Sequence, residues 1–298
     1  MAARGLTIGI VAYNALDKLR ACLDSVAAQV LARPLQVVVV DNASAEPVAD
    51  TLRADYPWVT LVASARNLGF AGGSNLALAQ AQHPLLLLLN PDTVLPAPDT
   101  LERLAARFEA HPELGALGCR LELPDGATQI IAGRVPRARE VALDLFHRGQ
   151  PVVAPPLGAE LVDAEYLSGA ALLTSREVWQ AVGPLDEGYC MYFEDTDWCV
   201  RARGLGYRLA AAPDITIVHH EGASYGGRSF ARREHFWRAL VRFCHRHDTR
   251  ASLALLRVAL AVSAALKLPL ALVADRSADR AARLSLLRAQ LRLGLRGA

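Results

Sequence analysis

The chain has 298 residues, 52% of them hydrophobic and 21% charged, with 32 Lys/Arg against 30 Asp/Glu. That length suits one large domain or a domain with an appendage, and that composition excludes an intrinsically disordered protein. The small net charge hides an asymmetry: residues 228–298 hold 15 Lys/Arg and 4 Asp/Glu, a net +11, whereas residues 1–227 hold 17 and 26, a net −9. An acidic body with a basic tail points to a polyanionic partner, either a membrane or a nucleic acid.

Five cysteines, at 22, 119, 190, 199 and 244, are scattered and odd in number. Their spacing argues against a disulfide framework or a thiolate metal site and fits reduced thiols in a cytosolic setting. The amino terminus, "MAARGLTIGIVAYN", has too short an apolar run for a signal peptide and reads as a first strand.

In chain order, "LTIGIVAY" (6–13) predicts a strand and "DKLRACLDSVAAQV" a helix. "LQVVVVD" (35–41) predicts a fully apolar strand, "EPVADTLRADY" a helix, "WVTLVAS" (58–64) a strand and "GGSNLALAQAQ" a helix. "PLLLLLN" (84–90) predicts another buried strand, followed by a helix in "DTLERLAARFEAHPE". Alternating β and α elements with continuously apolar strands predict a parallel sheet covered on both faces. Residues 120–160 are rich in Pro and Gly and show no clear periodicity. "AEYLSGAALLTS" (164–175) predicts paired strands or a strand with a turn at Gly169, "REVWQAV" a short helix, and "YRLAAAP" and "DITIVHH" two more strands.

The tail differs in kind. Residues 231–248 predict an Arg-rich helix, and residues 251–274 are almost wholly apolar but interrupted by Arg257, Lys267 and Pro269. About 20 apolar residues suffice to span a bilayer. The interruptions favour a helical pair lying in or dipping into the interface, with a true span as the lesser option. In 284–296, Ser285, Arg288, Arg292 and Arg296 share one helical arc and six leucines fill the rest, the pattern of a membrane-surface helix. A helix packed on its own domain is the alternative.

In open α/β sheets ligands bind beyond the carboxyl ends of the strands. Those ends carry Tyr13-Asn14, Asp41-Asn42, Arg66-Asn67 and Asn90-Pro91-Asp92. Asp41 and Asn90 also suit plain turns. Asp92 offers an oxygen ligand for a hard divalent cation. "RNLGFAGGSN" (66–75) sets Arg66 and amide side chains before a helix start, which favours anions, but it matches neither a dinucleotide fingerprint nor a Walker A loop. "YCMYFEDTDWCVRARGLGYR" (189–208) places Glu194, Asp195 and Asp197 among aromatics. Asp197 can pair with Arg201 at i, i+4. One of Glu194 and Asp195 can cap the helix, and the other is a candidate general base whose desolvation favours accepting a proton.

Taken together, "IVAYN", "VVVVDNAS", "RNLGFAGGSN", "LLLLNPDT", "YLSGAALL", "GPLDEGYCMYFEDTDWCVRARGLGY" and "VHHEGAS" resemble, in order, the motifs of the family 2 glycosyltransferases. The nearest pattern is the rhamnosyltransferase-like and galactofuranosyltransferase-like branch of bacterial envelope enzymes. The resemblance implies a GT-A type nucleotide-diphospho-sugar transferase fold over residues 1–230, with a mostly parallel Rossmann-like sheet, and a membrane-associating helical tail over 231–298. It implies inverting transfer aided by Mg²⁺ or Mn²⁺. Ala12, Tyr13, Asn14, Asp41, Asn42, Arg66, Asn67, Asn75 and Asn90 would line the nucleotide-sugar site, Asp41 at the base. Gly169 and Trp198 would face the acceptor. Asp92 matches the last carboxylate of the Asp-x-Asp metal motif, whose first position is Asn90 here, and His219 matches the histidine near the metal. Asp195 matches the general base, with Glu194 as runner-up.

The expected partners are a nucleotide-diphospho-sugar donor, a lipid-linked saccharide acceptor such as a polyprenyl diphosphate sugar, and the cytoplasmic face of the membrane. A homo-oligomer is compatible with this reading. A nucleotidyltransferase, which would release pyrophosphate, and a non-catalytic nucleotide-sugar-binding scaffold are the alternatives. Nucleic acid is disfavoured by the long apolar segment and the lack of a docking motif.

Overall fold

The computed structural model describes residues 3–129, 132–145, 159–189, 191–220, 230–273 and 280–296. The chain forms two compact units. The first comprises Met1–Arg134, Val153–Gly188 and Glu194–Ser224, and the second comprises Val135–Val152, Tyr189–Phe193 and Tyr225–Ala298.

The first unit is built on a sheet with nine strands among the described residues. β1 (Leu6–Ala12), β2 (Leu35–Asp41), β3 (Thr60–Ala63) and β4 (Leu85–Leu89) lie side by side in the order β3-β2-β1-β4, all parallel. Every residue of β1 and β4 is buried, as their unbroken apolar runs predict. Each fully buried Leu of β4 contributes roughly 2 kcal/mol of transfer free energy. α1 (Leu16–Ala27), α2 (Val48–Asp55), α3 (Gly69–Ala79) and α4 (Thr100–Ala110) connect these strands and their successors. α1 buries Leu19, Cys22, Leu23 and Val26, one face of a helix.

Beyond β4 the sheet is mixed, in keeping with the mostly parallel sheet that the family resemblance implies. β5 (Thr93–Val94), β6 (Leu114–Glu122), β8 (Val162–Asp163), β10 (Ala171–Ser175) and β11 (Arg208–His219) complete it. β10 runs antiparallel to both β4 and β6, and β11 runs parallel to β6. β7 (Ala132–Gly133) pairs with β9 (Tyr166–Leu167) in a separate ribbon.

Two readings of the sequence are corrected here. "YRLAAAP" and "DITIVHH" belong to one strand, β11, whose register shifts between Ala212 and Thr216. A shift there lets Pro213, which has no N–H to donate, stay within the strand. β6 escaped the periodicity because Gly115 and Gly118 interrupt its apolar run. α6 (Arg176–Val182) is capped by Ser175 Oγ, which accepts the Val178 N–H at 3.2 Å. α7 (Glu194–Gly204) follows Tyr192 and Phe193, both with left-handed backbone at φ 70° and 69°.

The second unit holds α5 (Ala138–Asp144), α8 (Phe230–His247), α9 (Arg250–Val273) and α10 (Arg280–Arg296). α10 packs on α8 and α9, and α5 packs on α9. The apolar segment is thus one continuous helix, with Pro269 inside it, and not a helical pair. The expectation for α10 is also corrected. Its Leu286, Leu287 and Leu293 are buried within the unit, while Arg288 and Arg292 are exposed. A Cβ on Gly294 would lie 2.6 Å from the Arg257 carbonyl oxygen and 2.7 Å from the Ala261 nitrogen, so only glycine permits this close helix crossing. Most of the α10 leucines are therefore covered by protein, while Leu295 stays exposed.

Candidate active site

Register brings the carboxyl ends of the central strands to one edge. Ala12 stands opposite Asp41, Asp41 opposite Ala63, and Ile10 opposite Leu89. β10 arrives antiparallel, with Ala171 opposite Leu89, so the residues preceding it lie at that same edge. The Asn90 N–H donates to the Ala170 carbonyl at 3.0 Å. β5 pairs with the end of β11, Thr93 opposite His219, which delivers His219 beside Asp92.

The expected cation-binding residues meet there. His219 Nε2 lies 3.2 Å from Asp92 Oδ1 and 3.2 Å from Asn90 Nδ2, and His219 Nδ1 lies 2.8 Å from Gln129 Oε1. Donation from Nδ1–H to the Gln129 oxygen is the tautomer that turns the Nε2 lone pair toward Asp92 and Asn90. Nε2 and Asp92 Oδ1 then present two electron pairs side by side, a donor set that suits a divalent cation. Two protein ligands are few, but Mg²⁺-type sites complete their shell with water and substrate phosphates. No group of three or more His, Cys, Asp or Glu side chains clusters with metal-ligand geometry among the described residues.

Asp195 opens α7 and is held by three donors: Gly169 N–H to Oδ2 at 2.8 Å, Thr196 N–H to Oδ1 at 2.6 Å, and Thr196 Oγ1 to Oδ1 at 3.2 Å. Burial raises its carboxyl above the ordinary range, and these hydrogen bonds pull against the rise. Glu194 beside it is buried, and its Oε2 has no hydrogen-bond partner among the described residues. Burial first, and the adjacent Asp195 second, push Glu194 up to about 8. At neutral pH Glu194 is therefore protonated, while Asp195, also raised, has the hydrogen-bond donors that favour its charged form.

Tyr192 and Phe193 hold a conformation costly for L residues. It persists where surrounding packing over-determines it, and Phe193 packs its ring 5.4 Å from Phe236 and 5.3 Å from Phe243, centroid to centroid. Asp197 pairs with Arg201 Nε at 2.9 Å, the i, i+4 partnership its spacing predicts.

Other expected residues divide by how their polar groups are used. Asp41 Oδ1 accepts the Ser44 N–H at 3.0 Å, closing a turn, and Asn14 Oδ1 accepts the Ala45 N–H at 2.9 Å. Asn42 is buried: its amide donates to Asn67 Oδ1 and the Gly69 carbonyl and accepts the Leu68 N–H, so it clamps the start of α3. Asn75 is tied to both backbone groups of Leu185 and to Glu187. Arg66 and Asn67 are exposed, Tyr13 is half-buried, and Ala12 accepts the Asn42 N–H through its carbonyl. Gly169 is buried, and a Cβ there would sit 3.1 Å from the Phe70 ring and 3.4 Å from Asp195 Cβ. Trp198, expected on the acceptor side, is instead a core residue. It is fully buried, stacked on Trp179 at 5.6 Å, and donates from Nε1 to the Gly183 carbonyl. Of the expected motif "VHHEGAS", the residues after His220 lie outside the described residues, as does Cys190; the four described cysteines are buried and free.

Two contacts carried no sequence signal. Lys18 Nζ lies 3.2 Å from His220 Nδ1, and Gln129 orients His219 from within the segment that showed no periodicity. A cavity of about 500 Å³ lined by Phe108, His111, Ser175 and Tyr207 sits at the opposite sheet edge, by the start of β6, and contains none of these groups.

A mostly parallel mixed sheet, with Asp92, His219, Glu194 and Asp195 near the carboxyl ends of its strands, has the architecture of the GT-A type fold. The comparisons agree. The chain aligns, with 21% identity and a TM-score of 0.59 over 98% of its length and 87% of the other, with a mannosyltransferase from Pyrobaculum calidifontis solved with GDP-Man and Mn²⁺. The family profile described as "Glycosyl transferase family 2" matches residues 7–149, 143 of the 298 residues. It is 29% identical over 213 residues to an N-acetylglucosaminyl-diphospho-decaprenol L-rhamnosyltransferase of Mycobacterium tuberculosis, covering 65% of this chain and 69% of that one. It is 27% identical over 212 residues to the O-antigen biosynthesis protein RfbC of Myxococcus xanthus, covering 70% of this chain and 16% of that one. Some curated relatives are much longer, and the chain spans a quarter or less of their length.

Proposed function

We propose that the chain is an inverting glycosyltransferase that moves a rhamnose-like or other hexose from a nucleotide-diphospho-sugar to a hydroxyl of a lipid-linked saccharide. The setting proposed is the cytoplasmic membrane face, in cell-envelope polysaccharide synthesis. The mycobacterial relative, whose name specifies a decaprenol-linked acceptor, supports the lipid. The observation that carries the chemistry is the Asp195 carboxyl, held by the Gly169 N–H at the sheet edge that also bears Asp92 and His219.

In this reading the acceptor oxygen attacks the anomeric carbon, and its proton passes to Asp195. The bond from that carbon to the diphosphate breaks, the nucleoside diphosphate departs, and configuration inverts. A Mg²⁺ or Mn²⁺ held by Asp92 and His219 would supply Lewis-acid stabilisation of the departing charge. Glu194, neutral, avoids a second negative charge beside the base. Asp41, Tyr13 and Asn14 border the nucleotide, Arg66 and Asn67 approach the diphosphate sugar, and Gly169 faces the acceptor. Asn42 and Asn75 act indirectly, by holding α3 and the 185–187 loop.

Asp195→Asn tests the proposal. Turnover should fall by about a hundredfold or more, the range for a lost general base, while donor affinity stays within about twofold. The product to be measured is nucleoside diphosphate. Release of pyrophosphate would mark a nucleotidyltransferase, and full function in the variant would mark a scaffold. Screening nucleotide-sugars for protection against thermal unfolding, with and without Mn²⁺, identifies the donor, since ligands of the native state raise its stability.

A further inference from the structure

The outward face of α9 is apolar along its whole length. Leu255, Val258, Val262, Leu266 and Leu272 are 46%, 60%, 43%, 62% and 45% exposed. At 100° per residue they fall within an arc of about 120°, and from Leu255 to Leu272 the stripe runs about 26 Å. The opposite face, including Leu256, Leu260, Ser263 and Ala264, is buried in the second unit. By length and composition alone Arg250–Pro269 could cross a membrane. A helix with one side packed against α5 and α10 and the other bare is built to lie along an apolar boundary, not to pass through one.

We propose that this stripe is a lipid-docking face, on which α9 lies flat in the interface of an anionic bilayer. Its chemistry selects that occupant. The exposed side chains are aliphatic, whereas the centres of protein–protein interfaces are enriched in aromatics, Met and Arg. Neither α9 nor α10 contains an acidic residue, and residues 249–298 carry nine Lys/Arg against two Asp/Glu. Arg250, Lys267, Arg288 and Arg292 are exposed. An apolar stripe with Arg250 near its edge, in a helical unit rich in Arg and poor in acids, matches the acyl boundary and an anionic headgroup layer together. The inference keeps the apolar segment at the interface, where the sequence placed it, and names the side chains of α9 that enter it. It rests on the membrane location proposed above but not on the transfer chemistry.

The test uses the full chain and flotation with vesicles of phosphatidylcholine, with and without phosphatidylglycerol. The wild-type chain should float with the anionic vesicles. Val258→Glu and Leu266→Glu should each cut the bound fraction about tenfold or more, because each removes an inserted side chain and adds a repelled charge. Leu205→Glu, at an exposed leucine of the first unit, should leave binding unchanged. Both α9 sites are solvent-facing, so unchanged melting curves exclude unfolding, and unchanged thermal protection by the donor separates this result from the transferase reading. Vesicle binding that survives both glutamates overturns the proposal. So does a dimer in solution that either glutamate dissolves, since a second copy would then cover the stripe.

Discussion

Gly169 donates its backbone N–H to Asp195 Oδ2 at 2.8 Å, across 26 positions of sequence. The next residue, Ala170, accepts the N–H of Asn90, whose side chain touches His219 beside Asp92. A short run of backbone thus couples the proposed base to the proposed cation site. It exists because β10 enters the sheet antiparallel and turns at the edge where the parallel strands end.

Gly169→Ala probes that coupling. The added methyl would sit 3.1 Å from the Phe70 ring, which must give, and would touch Asp195 Cβ at 3.4 Å, so a small shift of either helix or strand backbone reaches the carboxylate. Turnover should fall roughly ten- to hundredfold, in line with sub-ångström to ångström misplacement of a reacting group, with a melting temperature only modestly lower. Steady-state kinetics and a melting curve on the same sample separate the two effects. An unchanged kcat would show that the site takes up the methyl without displacing Asp195.

Glu194 sets a pH dependence. Its folded-state value of about 8 lies above the ordinary 4.5, so the folded chain retains a proton that the unfolded chain releases. Stability should therefore be intact below about pH 4.5 and decline by up to roughly 1.4 kcal/mol per pH unit as pH rises towards 8. Glu194→Gln should flatten that decline and leave the variant more stable than wild type at pH 8. Denaturant titrations across this window decide it, and parallel curves for the two proteins count against a buried, protonated Glu194.

The proposed cation site is read by affinity. Asp92→Asn and His219→Ala should abolish the extra thermal protection that Mn²⁺ gives with a nucleoside diphosphate. Gln129→Leu, which removes the partner of His219 Nδ1, should weaken Mn²⁺ about ten- to hundredfold, as loss of an orienting contact does. Calorimetric titration of Mn²⁺ measures both. Wild-type affinity in all three variants would place the cation elsewhere.

Asp197 is a structural counterpart to these residues. Its side chain is fully buried and meets Arg201, which also donates to the carbonyls of Val182 and Pro184. Asp197→Ala leaves that guanidinium without its charge partner and should destabilise the chain by about 3–5 kcal/mol. Equilibrium unfolding checks the value, and a loss under about 1 kcal/mol would mean solvent reaches the pair.

The sequence by itself determined the parallel half of the sheet, the strand ends that carry Asp41 and Asp92, the Asp197–Arg201 pair and the family. Those features are written in local patterns: unbroken apolar runs, helical spacing and ordered motifs. Tertiary structure alone decided the rest. It inserted β10 antiparallel, merged two expected strands into β11 and made a sheet strand of β6 despite its glycines. It sent Trp198 into the core and brought Gln129 and Lys18 to histidines about 90 and 200 positions away. It also buried Glu194 without a partner, gave Asp195 three hydrogen-bond donors, and left α9 with a bare apolar face. The physical reason is common to all of these. A side chain's solvation and its partners depend on what packs against it from distant parts of the chain, and periodicity records which residues share a face but not what that face meets.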